Sequence, residues 1–149
     1  MIETPFRLPR RQRRPWRVIV AMADSTRRAR IARALRDKGC RVVPVHDGGQ
    51  LLERLSAAIL EDDPLGRPDL IVTDVELNGC SALSVLSGAR DLGWDTPFFL
   101  VVRFNDQATA ENAFALGADR VFERPVDPQE LATAAHTYLL GREPVGRRR

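Results

Sequence analysis

The side chains able to do chemistry in this chain are few and widely separated. Cys40 and Cys80 lack the short spacing of a metal site, and one possible pair is too little for the disulfide framework of a small secreted domain. Small buried residues fit both positions without redox chemistry. His46 and His136 have no carboxylate or cysteine pattern that would complete a metal site. Arg7, Arg10, Arg11, Arg13, Arg14 and Arg17 surround Phe6 and Trp16, a combination that can lie on phosphates through charge and stacking. A solvated tail has the same composition without a ligand, and no recognition helix or zinc-finger spacing accompanies the arginines. There remain the residues at or just past the ends of apolar runs: Asp24, Asp74 with Glu76 beyond it, and Arg124. Whether they form one site depends on the elements that carry those runs.

From residue 17 the pattern alternates between short apolar runs rich in β-formers and longer helical stretches. Strands are expected at Val18 to Met22, Val42 to Val45, Leu70 to Thr73, Phe98 to Val102 and Arg120 to Phe122. Helices are expected over roughly 25–38, 48–61, 80–92, 106–116 and 128–140. Gly39, Gly93, Gly117 and Gly141 each follow a helical pattern, where a left-handed cap is wanted. Asp127, Pro128 and Glu130 supply the last helix with an N-cap, a first-turn proline and a capping-box acid. Strands separated by such helices are joined by crossovers, so the sheet is parallel and covered on both faces. An open α/β sheet of this kind places its site beyond the carboxyl ends of its strands, where Asp24, Asp74, Glu76 and Arg124 fall.

The length of 149 residues, with 44% hydrophobic and 29% charged, fits one soluble domain with a packed core. The apolar run Val18 to Ala23 is too short for a signal peptide's core or a membrane span, and Pro5, Pro9 and Pro15 spoil an amphipathic targeting helix. A reducing cytoplasm is the expected compartment. The net charge of +3 is unevenly placed. Residues 1–17 carry six arginines against Glu3, and residues 141–149 carry four against Glu143. Between them, residues 18–140 hold thirteen basic and eighteen acidic residues. The expected organisation is a basic arm at 1–16, a domain at 17–140 and a basic tail at 141–149, with Glu61 to Pro68 a solvated acidic loop.

Over about residues 17–140, the order of elements and several local signatures resemble the receiver domain of bacterial two-component response regulators. Asp24-Ser25-Thr26-Arg27-Arg28 is similar to the start of that family's first helix. Pro68-Asp69-Leu70-Ile71-Val72-Thr73-Asp74 resembles the segment ending in the phosphoacceptor aspartate. Ala115-Leu116-Gly117-Ala118-Asp119 and then Arg124-Pro125 resemble the passage from the fourth helix to the lysine-proline after strand five. The resemblance implies a (βα)5 flavodoxin-like, doubly wound parallel sheet with strand order 2-1-3-4-5. It also implies a set of parts. Two acids after strand one and the acceptor hold Mg²⁺, together with a backbone carbonyl two residues beyond the acceptor, because this hard cation demands oxygen. A hydroxyl after strand four and a lysine after strand five hold the phosphoryl group, and an aromatic in strand five relays the switch.

Only the acceptor, Asp74, is unchanged in this chain. The acid pair falls on Met22 and Ala23, and methionine sulfur is too soft to replace carboxylate for Mg²⁺. Asp24 stands one position late and suits an N-cap. The hydroxyl position is Val102, the lysine position is Arg124 ahead of Pro125, and the aromatic position is Val121, with Phe122 on the opposite face. Glu76 offers a substitute oxygen ligand. The expectation is a degenerate, stand-alone, non-enzymatic receiver that acts by protein interaction, with Mg²⁺-dependent phosphorylation weak or absent and no cofactor, Mg²⁺ entering only if Asp74 works. Asp74 is expected to pair with Arg124. Partners are a histidine kinase or a downstream effector, with no membrane. Helices four and five and strand five, including Val121, form the expected partner or homodimer face. Phe104, after strand four, is a second anchor candidate, while Trp94 either anchors or folds back over a helix end. Three alternatives stay open: a working acceptor at Asp74 with Glu76 assisting the metal, a nucleic-acid factor binding through its arms, and a flavodoxin offering Ser25 and Thr26 to a flavin, which fits the landmarks less well.

Overall fold

A computed structural model describes residues 14–61 and 67–142. The expectations for most of the arm (1–13), for the acidic loop (62–66) and for nearly all of the basic tail (143–149) lie outside the described residues. In chain order the elements are β1 (Arg17–Ala21), α1 (Ser25–Asp37), β2 (Arg41–Val45), α2 (Gly48–Glu61), β3 (Leu70–Asp74), β4 (Glu76–Leu77), β5 (Cys80–Ser81), α3 (Ala82–Asp91), β6 (Phe98–Val102), α4 (Gln107–Ala115), β7 (Arg120–Glu123) and α5 (Pro128–Arg142). The main sheet has the order β2-β1-β3-β6-β7 and every pairing is parallel. Its members are the five expected strands, in the expected flavodoxin-like order.

Side-chain alternation along the strands divides the interior into two cores. Val18, Val20 and Met22 pack with Ile31 and Leu35 of α1 and Leu131 and Leu139 of α5. Ile19, Ala21, Ile71 and Leu100 pack with α2, α3 and Ala113 of α4 on the other face. The central strands β3 and β6 are buried at every position, as a sheet covered on both sides requires. Trp94 lies in this interior with its ring under the Arg67 guanidinium, so it folds back rather than standing out as an anchor. Cys40 is buried as well, and burial pushes its thiol up to about 11.

Two departures from the sequence reading have local causes. The stretch after Asp74 folds into a small antiparallel hairpin, β4 with β5, through an Asn78-Gly79 turn in which Gly79 has φ +95°. Helix three therefore starts at Ala82, capped by the Ser81 hydroxyl, rather than at residue 80. This hairpin lies so close to α2 that Gly48 donates its N–H to the Asn78 carbonyl at 2.7 Å, and a Cβ on Gly48 would meet the Cys80 Sγ and, at 2.9 Å, its backbone nitrogen. The second departure is Gly141. Gly39, Gly93 and Gly117 have positive φ at helix ends, but Gly141 lies inside α5, which runs on to Arg142. A helix tolerates glycine at a modest cost when packing continues, and Leu139 two residues earlier is buried. No helix among the described residues is long and apolar enough to cross a membrane.

Candidate functional site

Asp74 closes β3 at the carboxyl edge of the sheet and is buried. β1 pairs with β3 through Ala21 and Thr73, so the chain leaving β1 at Met22 passes beside the end of β3. Met22 is fully buried in the core under α1 and α5. Asp24 then starts α1: its Oδ1 accepts from the N–H of Thr26 at 2.9 Å and of Arg27 at 3.2 Å. The backbone hydrogen bonds from Arg27 and Thr26 hold the Asp24 carboxyl below its ordinary range, the electrostatic mark of an N-cap. The N-cap assignment for Asp24 is therefore correct.

That capped turn aims Arg27 back over the strand ends. Its Nη1 donates to Asp74 Oδ1 at 3.0 Å and its Nη2 donates to Asp74 Oδ2 at 2.6 Å, a two-pronged, charge-assisted clamp. The Asp74 side chain is 3% exposed and that of Arg27 is 26% exposed. The hydrogen bond with Asp74 raises Arg27 above its ordinary value against the opposing effect of burial. Arg27 Nη1 also lies 3.9 Å from the Met22 sulfur, and Arg28 donates to the Met22 carbonyl at 2.6 Å. Two arginines of α1 thus cover the place where a receiver carries its acid pair.

The expected partnership of Asp74 with Arg124 is not formed. Asp74 is taken by Arg27, and the Arg124 Nε is buried without a hydrogen-bond partner among the described residues. The reason is positional: Arg27 comes from a helix start anchored by Asp24, directly above β1 and β3, whereas Arg124 follows the edge strand β7. Arg27 was in view in the sequence as part of the helix-start signature. No sequence signal singles it out as the partner of Asp74, because that depends on how α1 packs onto the sheet.

Of the remaining candidates, Glu76, Val102 and Arg124 help to line a small cleft of about 20 Å³, together with Arg103 and Thr109. Val102 is buried and offers no hydroxyl. Glu76 directs its carboxylate to Arg103 at 2.5 Å in an exposed ion pair. Val121 packs against the α2/α3/α4 core and Phe122 against the other, as their alternation requires. Phe104 is 72% exposed in the turn after β6, next to Asn105, whose φ is +63°.

The residues present do not fit Mg²⁺. A hard cation needs several oxygen ligands, but Met22 presents sulfur, Ala23 presents a methyl group, both Asp74 oxygens accept from Arg27, and Glu76 engages Arg103. Among the described residues no three His, Cys, Asp or Glu side chains gather as a metal-binding group.

The family comparison agrees with the fold. The family model for the response regulator receiver domain matches residues 18–136, and the chain belongs to that family. A transcriptional regulatory protein, DltR, of Streptococcus agalactiae is 29% identical over 115 residues, which cover 77% of this chain and 48% of that protein. A transcriptional regulatory protein, YvrH, of Bacillus subtilis is 34% identical over 71 residues, covering 48% of this chain and 30% of that protein. The chain thus spans about half or less of the length of these curated relatives. Among solved structures, the signal receiver domain of a histidine kinase from Syntrophus aciditrophicus superposes with a TM-score of 0.70 at 23% identity, covering 87% of this chain and 93% of that one. A receiver domain protein from Methanospirillum hungatei gives a TM-score of 0.70 at 18% identity, covering 85% and 95%. These structures establish the shared fold.

Proposed function

We propose that this chain is a pseudo-receiver: a signalling module that works through protein contacts and takes a phosphoryl group at Asp74 weakly or not at all. The observation that carries this reading is the Arg27 clamp. Phosphoryl transfer to a carboxylate needs an oxygen free to attack and a metal that bridges and neutralises the phosphoryl oxygens. Both Asp74 oxygens accept from a guanidinium of the same chain, which supplies positive charge but, with its two Nη groups engaged, does not bridge acceptor and phosphoryl oxygens as a metal does. The acceptor is neutralised from within, and the domain is held in one state.

The family match over residues 18–136 supports a receiver body at 17–140 between a basic arm and a basic tail. In this reading the module passes its signal by contact with a histidine kinase or a downstream effector in the cytoplasm. The surface of α4, β7 and α5, with exposed Phe114 on α4 and exposed Phe104 just before it, is the proposed partner or homodimer face. Incubation with acetyl phosphate and Mg²⁺, followed by intact-mass measurement, tests the reading. The expected spectrum shows unmodified protein; a stoichiometric gain of one phosphoryl group that disappears in Asp74→Asn would overturn it.

A further inference from the structure

Positive charge on the body of this protein is concentrated on one side. From Asp24 to Arg41 there are seven basic residues and two acids, whereas from Val42 to Leu140 there are six basic residues and sixteen acids. α1 carries most of the excess. Its inner face, Ile31, Ala32, Ala34 and Leu35, is buried, which leaves Arg30, Arg33 and Arg36 exposed to solvent. The helix delivers Lys38 to the starting edge of the sheet, where exposed Arg41 opens β2 and pairs in register with Arg17 of β1. Arg14 reaches the same edge, tied to Asp69 at 3.0 Å. Arg27 is consumed by Asp74, but Arg30, Arg33 and Arg41 make no ion pair among the described residues.

Going beyond the signalling reading, we infer that this face, the outer row of α1 with the adjoining sheet edge, docks on the phosphate backbone of duplex DNA without reading its sequence. Lys38 is the single lysine, so the surface is built from guanidinium groups, whose planar fork matches phosphate oxygens in pairs. The acid excess over the rest of the body repels the same polyanion and so orients the encounter. A lipid surface fits less well, because the apolar face of α1 is spent in the core and none is left to enter a bilayer. A single strand fits less well too: the nearby ring, Trp16, packs edge-on with His136 rather than standing free to stack on bases.

Fluorescence anisotropy of the full chain with a labelled mixed-sequence duplex of about 20 base pairs tests the proposal across a salt series. Each phosphate contact contributes about 0.9 to the slope of log affinity against log salt, so Arg30→Ala/Arg33→Ala/Arg41→Ala should lower that slope by about 2 to 3 and weaken low-salt binding at least about tenfold. The triple variant keeps its urea midpoint, since these side chains are exposed, and Arg33→Glu provides a second reading in the same direction. Arg54→Ala/Arg103→Ala, away from this face, should leave affinity and slope unchanged. The proposal is overturned if the wild-type chain ignores the duplex. Binding to phosphatidylserine vesicles in place of the duplex also overturns it. So does loss only on replacing Arg7, Arg10, Arg11 and Arg13 by alanine, with the triple variant unchanged.

Discussion

Arg27→Ala isolates the clamp. Alanine suits the first turn of α1, and the Asp24 cap uses the backbone of residue 27, so the helix itself should survive. What changes is Asp74, which loses both charge-assisted partners and stays 3% exposed at the end of a buried strand. Removing one member of a fully buried pair costs about 3–5 kcal/mol, because the other charge is left unpaired. Here the Arg27 side chain is 26% exposed, so water enters the vacated space and the expected loss falls below that range, at about 2–3 kcal/mol. At a urea dependence of about 1–3 kcal/mol per molar, this moves the unfolding midpoint down by about 0.7–3 M, followed by the fluorescence of buried Trp94. Adding Asp74→Asn to Arg27→Ala removes the stranded charge and should restore much of the loss, a coupling that the double-mutant cycle measures. The reasoning fails if Arg27→Ala costs less than about 0.5 kcal/mol, the range of an ordinary surface pair. It fails equally if the double variant is no more stable than the single one.

Other consequences follow from the same structure. Asp24 has a folded-state pKa below its ordinary 3.8, so its charge stabilises the fold above that value and the contribution is lost as pH falls through the lower, folded one. Asp24→Asn should therefore trail the wild type in urea midpoint near neutrality and converge with it in acid; a constant gap would show that the charge is irrelevant. Cys40, buried and pushed up to about 11 by burial first and Asp69 second, should resist alkylation at neutral pH while half-exposed Cys80 reacts. Equal rates on peptide mapping would contradict that ordering. Gly48→Ala forces a methyl group against the backbone nitrogen of Cys80 and should cost about 1–3 kcal/mol in urea unfolding, with an unchanged midpoint as the contrary result. Leu35→Ala, at a fully buried position under α1, should cost about 2–5 kcal/mol by the same measurement.

The fold was readable because its signals are local and repeated. Phe98–Val102 is apolar at every position, as only a strand covered on both faces would be, and the structure places β6 at those residues. Asp24, Asp106 and Asp127 each cap a helix through their side chains, and the first and last were legible as an aspartate ahead of a helical pattern. The hairpin after Asp74 was missed although Asn78-Gly79 is a strong turn signal, because its flanking strands are only two residues each and carry no periodicity.

The sequence by itself was enough to reach a five-stranded receiver fold, and its resemblance to that family puts Asp74 at the acceptor position and Met22 and Ala23 where the acid pair would stand. The strands were legible from periodicity and spacing, whereas the roles at those positions are what the resemblance to the receiver family implies. Which cation answers Asp74 was decided only by the tertiary structure. Arg124 and Arg27 carry the same charge, and nothing in the chain's order ranks one above the other. The direction of a first helical turn, set by the Asp24 cap and by the burial of Ile31 and Leu35 beneath α1, carries Arg27 across the strand ends to Asp74, which Arg124 at the end of the edge strand does not reach. Charge is a property of the residue, whereas a hydrogen-bonded pair is a property of geometry. That geometry exists only once the helix has packed onto the sheet.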